Sequence, residues 1–159
     1  MSDLHELTIA VDLRDEISET ELVELSWHLG IGPPPEHPLS LVTQFPVVVV
    51  DDDGTPVIED DPRPLLAGRG AAARVGGALC SALADRADLP RGGWSLTSRQ
   101  EVHPDEFDRI GELLSWLAAR AHDTHAAGDG AVGIGFLRFH EAEVPDVLRV
   151  EGGRVGWPT

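Results

Sequence analysis

Hydrophobic and polar positions alternate where the chain begins. Leu7, Ile9, Val11 and Leu13 are separated by Thr8, Ala10 and Asp12, and this period of two predicts a strand with one buried face. Ser18 and Glu21 then stand at capping-box spacing, where hydroxyl and carboxylate satisfy the free backbone donors of a helix start. Leu22, Leu25 and Leu29 supply the buried stripe of that helix, with Glu19 and Glu24 placed outside and Gly30 ending it. The run from Gly30 to Pro38 contains Pro33, Pro34, Pro35 and Pro38 and reads as a stiff, extended connection.

From Leu39 to Val50 both faces are apolar, which predicts a strand covered on two sides. Pro46 cannot donate to a ladder, so an edge position or a bulge is expected there. Asp51-Asp52-Asp53-Gly54 signals a turn, and Thr55 to Ile58 a short returning strand. A second helix is read over about Gly70 to Ala87, with Gly76 and Gly77 as a cost inside it and Cys80 as a buried thiol on its apolar stripe. Trp94 to Val102 resembles an amphipathic strand. Pro104, Asp105 and Glu106 open a third helix, whose core stripe is Phe107, Ile110, Leu114, Leu117 and Ala121. Ala131 to His140 is the best candidate for a central strand, and Val147 to Trp157 reads as a terminal hairpin about Gly152-Gly153.

This order predicts a single α+β domain over residues 1–159, with a mixed, largely antiparallel sheet and helices packed on one face. Each half repeats a βαββ plan, about 5–58 and 94–147: Leu25-Ser26-Trp27 falls on Leu114-Ser115-Trp116, and Leu7-Thr8 on Leu96-Thr97. The repeat is topological, with few identities behind it.

Composition narrows the function. The acids number 28 against 12 basic residues, every one of them arginine, for a net charge of −16. Such a charge repels phosphate backbones and anionic lipid, so neither nucleic acid nor membrane is the expected partner. No apolar run is long enough to span a bilayer, the first residues lack the pattern of a secretory signal, and one cysteine cannot form an internal disulfide. The cytoplasm is the expected compartment.

The acids collect in groups. Asp12, Asp15 and Glu16 lie at the first strand–helix junction, Asp51, Asp52 and Asp53 in the turn, and Glu59, Asp60 and Asp61 after the returning strand. Read blandly, these are solvated surface that keeps the protein soluble. Read functionally, groups sharing one side of the fold dock a basic protein, as an immunity or inhibitor protein does. A third reading is a homodimer through the sheet face or a strand edge.

Rival chemistry is incomplete. His122, His125 and His140 suggest a metal or ligand site, but no metal signature is finished, and histidines suit a helix end. Arg69 and Arg74 beside Gly68 and Gly70 suit an anion at a helix start, but no phosphate-binding motif follows. Asp51-Asp52-Asp53-Gly54 lacks the ligand spacing of a calcium loop, and Ser98 and Ser115 lack a nucleophile motif. No cofactor is implied, and the balance favours a binding protein over an enzyme. A small-molecule or metal-binding protein with a pocket between sheet and helices is the alternative.

Overall fold

The alternating residues at the start form β1 (His5–Leu13), and Leu7, Ile9, Val11 and Leu13 are all buried. The structure, a computed structural model, describes residues 3–158. After β1 come α1 (Glu19–His28), the strands β2 (Pro46–Val50) and β3 (Pro56–Asp60), then β4 (Gly70–Ala71), β5 (Ala78–Asp85) and β6 (Trp94–Val102). The remaining elements are α2 (Phe107–Ala119), β7 (Val132–Phe139), β8 (Asp146–Glu151) and β9 (Arg154–Val155).

Seven strands form one antiparallel sheet in the order β4-β5-β6-β1-β7-β8-β9, while β2 and β3 pair as a hairpin of their own. β1 sits between β6, in the register Val11↔Leu96, and β7, in the register Leu7↔Leu137. Directly opposed residues share a face, so Leu96 and Leu137 add to the layer started by β1. Two helices pack against the sheet: Leu25 and Leu29 of α1 and Ile110, Leu113, Leu114 and Leu117 of α2 are buried in the same cluster. Each such side chain contributes roughly 1.5–3 kcal/mol on burial. The outermost strands, β4 and β9, are two residues long, leaving little ladder for another chain to extend.

The Ser18–Glu21 capping box forms as expected. Glu21 Oε2 also accepts from Trp116 Nε1 at 3.1 Å and Arg120 Nη2 at 2.7 Å, which ties the start of α1 to α2.

Two element assignments fail. The helix read over about Gly70 to Ala87 is β4, a turn and β5. Gly76 and Gly77 have φ of 84° and 66°, a left-handed conformation that makes them the turn instead of a weak point in a helix. Cys80 consequently stands exposed on β5. The run from Leu39 to Val50 is not one strand covered on both sides: only Pro46–Val50 is extended, and Val48 and Val50 face solvent. Both halves run strand–helix–strand–strand, as β1-α1-β2-β3 and β6-α2-β7-β8, although β7 and β8 continue the main sheet whereas β2 and β3 pair apart from it.

Gly135 marks where β7 crosses β1 most closely. A Cβ built there falls 1.9 Å from the Thr8 carbonyl oxygen, so any side chain forces the central strands apart. Gly135→Ala is expected to destabilise the fold by about 2 kcal/mol in urea titrations, with lost amide-exchange protection centred on Thr8 and Ile9. Among the described residues no helix is long and apolar enough to cross a membrane.

Candidate functional site

The β2–β3 hairpin is held at its root by two side chains of α1. Glu24 is fully buried, contrary to its expected place on the outside of the helix. Its carboxylate accepts from the backbone N–H groups of Ser40 at 2.7 Å, Leu41 at 2.9 Å and Val42 at 3.3 Å. Three consecutive amides, which an irregular buried segment would otherwise leave without partners, are thus satisfied by one anion. One turn later, His28 holds the chain that leaves the hairpin: its carbonyl accepts from Leu66 N at 2.8 Å and its Nδ1 from Leu65 N at 3.3 Å. α1 therefore grips the approach to β2 with one side chain and the exit from β3 with the next.

The tautomer of His28 follows from these bonds. Nδ1 accepts, so the ring proton sits on Nε2, which is buried 3.7 Å from Glu24 Oε2, too far for a hydrogen bond. Burial lowers the pKa of this imidazole to about 4, although the Glu24 charge pulls the other way. The ring lies between Trp27, at 4.8 Å, and Phe45, at 6.2 Å. Phe45 closes the root, where its N–H donates to Asp60 Oδ1 at 2.7 Å and its carbonyl accepts from Asp61 N at 2.8 Å.

Beyond this anchor the hairpin stands out from the body. The pairs Val48↔Ile58 and Val50↔Pro56 present one apolar face to solvent, with Val48 71%, Val50 69% and Ile58 75% exposed. Acids lie at both ends of that face: Asp51, Asp52 and Asp53 at the tip, and Glu59, Asp60 and Asp61 at the root. Asp51 Oδ1 accepts the turn amides of Asp53 and Thr55, and Asp61 pairs with Arg63 at 2.6 Å. No ion pair or side-chain hydrogen bond engages the carboxylates of Asp52, Asp53 and Glu59 among the described residues. Beside the root, a groove of about 750 Å³ runs along the proline-rich connection, with Trp27 and Asp60 among its walls.

The other expected docking residues lie elsewhere. Asp12 accepts from Ser95 Oγ at 2.6 Å and lies 3.9 Å from Arg86, while Asp15 and Glu16 share a 60 Å³ depression with Arg14 and Arg91. Arginines offset that group.

The residues of the alternative ligand site make contacts of their own within the fold. Glu101 accepts from the backbone N–H groups of Ala73, Arg74 and Val75 at 2.9, 2.6 and 3.0 Å, and the Gly68 N–H donates to Gln100 Oε1 at 2.7 Å, so backbone donors around Arg69 and Arg74 already serve internal acceptors. Burial alone would raise the Glu101 pKa, but these amides and Arg99 bring it below the ordinary value. Arg69 donates to the Gly30 carbonyl at 2.7 Å. His125 Nε2 accepts from Asp12 N at 3.0 Å, and His122 Nδ1 accepts from Thr124 N at 3.3 Å at the start of a short turn. His140 lies in the turn after β7, its ring 4.6 Å from that of Phe139. Among the described residues no three His, Cys, Asp or Glu side chains gather as a metal-binding group.

Glu24, His28 and Glu101 escaped the sequence reading. One signal was available for the first two: an acid and a histidine four apart, with His28 three residues after Leu25 and next to Leu29, lie along the apolar stripe. Compared with protein-family models, with curated proteins and with solved structures, the chain finds no match in any of the three.

Proposed function

We propose that this chain is an acidic protein-interaction module that docks a basic protein through the β2–β3 hairpin, as an immunity or inhibitor protein masks a cationic surface. One observation carries the reading: a solvent-facing strip of β-branched residues with carboxylates at both ends. Acids that serve solubility alone have no need of an apolar strip between them, and such a strip on a hairpin with free edges is itself a liability. A partner that covers Val48, Val50 and Ile58 gains roughly 25 cal/mol for each Å² of apolar surface removed from water. The flanking carboxylates then steer a cationic partner into place and fix its register.

Photo-crosslinking groups placed at Val48 and at Ile58 in the producing cell test this, with Val144, equally exposed in the turn between β7 and β8, as the control position. The expected result is one discrete adduct with a basic protein from both hairpin positions and none from Val144. Asp51→Asn, Asp52→Asn and Asp53→Asn together slow association, and added salt does the same to the unaltered chain. Adducts that are the same from all three positions, or a pairing indifferent to salt, overturn the reading.

A further inference from the structure

We infer that the groove beside the hairpin root is the seat for an arginine side chain, carried on an extended segment of the docked partner. This rests on the docking reading and adds the chemistry of what is recognised. Half of the ten lining residues are prolines: Pro34, Pro35, Pro38, Pro62 and Pro64. A proline contributes a carbonyl and an apolar ring but no backbone N–H, so this wall offers many more acceptors than donors.

The polar side chains point to the same ligand. Asp60 Oδ1 is occupied by the Phe45 N–H, and Oδ2 accepts no hydrogen bond among the described residues. His37 offers the groove no donor: its Nδ1 donates to the Pro38 carbonyl at 3.1 Å, and its Nε2 is buried. An anion entering this groove meets the Asp60 carboxylate and few donors. A donor-rich cation meets complementary groups.

Shape selects among cations. A guanidinium is planar, weakly hydrated and able to stack on the indole of Trp27 and the proline rings while presenting its donors at the edge. An ammonium is a compact, strongly hydrated charge and gains less from such walls. At about 750 Å³ the groove has room for the residues flanking the arginine as well. A shallower depression of about 340 Å³ shares Thr43 and Asp60 with it and continues to Pro46 and Ile58 on the hairpin's apolar face. A segment lying along both places its arginine in the groove and its apolar neighbours on Ile58.

The full chain, labelled with ¹⁵N, is titrated with acetyl-Val-Arg-Val-amide and with the same peptide carrying citrulline, the neutral isostere. The arginine peptide is expected to shift the Trp27 indole and Thr43 amide signals with roughly millimolar half-saturation, and the citrulline peptide to bind about tenfold more weakly or worse. Asp60→Asn keeps an oxygen for the Phe45 N–H and is expected to weaken the arginine peptide about fivefold. The citrulline comparison decides the matter even if that variant misfolds. Equal binding of the two peptides, or shifts confined to Asp51–Asp53 with Trp27 unmoved, overturns the seat. If the hairpin crosslinks a basic partner while Trp27 stays still, the seat fails and the docking reading stands. If the arginine peptide moves Trp27 while the hairpin captures nothing, the seat stands and the docking reading fails.

Discussion

Replacing Glu24 with alanine is expected to cost about 3–5 kcal/mol of folding stability, measured by urea denaturation at neutral pH. The loss does not come from a broken surface pair. Alanine leaves the N–H groups of Ser40, Leu41 and Val42 without an acceptor, and Leu41 and Val42 lie where water does not reach. Glu24→Gln is expected to fall between the two, since its amide oxygen serves some of these donors while its NH₂ opposes the rest. If the alanine variant melts like the parent, the grip of α1 on the approach to β2 has no energetic importance. Amide exchange adds a spatial check: protection is lost first over residues 40–45 and along the hairpin, and last in β1, β6 and β7.

Acid is expected to loosen the same anchor through His28. In the unfolded chain this imidazole takes up a proton near pH 6.5, whereas in the fold it does so only near pH 4. Between those values the unfolded state binds more protons, so stability falls as the pH falls. The contribution is complete above pH 6.5, declines between about pH 6.5 and 4 by an amount on the order of 3 kcal/mol, and changes no further below that. His28→Asn keeps an acceptor near Leu65 N–H and does not titrate. It is expected to be less stable than the parent at pH 7 but to have a flatter profile across that window. Equal slopes for parent and variant would show that other groups govern the acid response.

Local patterns were legible where local physics decides. Trp94, Leu96 and Val102 share one face of the segment that is β6 over that same span, and Ser18 with Glu21 closes the capping box their spacing announced. The stretch from Ala71 to Ala84 was not legible, because small apolar residues fit either period. There the decision lies with Gly76 and Gly77, which turn the chain although local spacing makes them look like weak points inside a helix. Glu24 failed for a different reason. Its donors lie 16 to 18 residues further on, and no window on a helix reveals a carboxylate drawn inward by distant amides. The acids of the candidate site were legible as residues, and six of the nine meet on one hairpin. What sequence concealed was the apolar strip between them, since four consecutive valines read as interior when they belong to a strand with one side in water.

The place of β1 in the sheet constrains how the molecule is made. Its partners on either side begin far along the chain, β6 at Trp94 and β7 at Val132, so β1 stays unmatched until those later segments have left the ribosome. Long loops must close before those ladders reward closure, which makes assembly slow for a protein of this size. A nascent β1, with Leu7, Ile9, Val11 and Leu13 still bare, is therefore a stretch in need of a chaperone during synthesis.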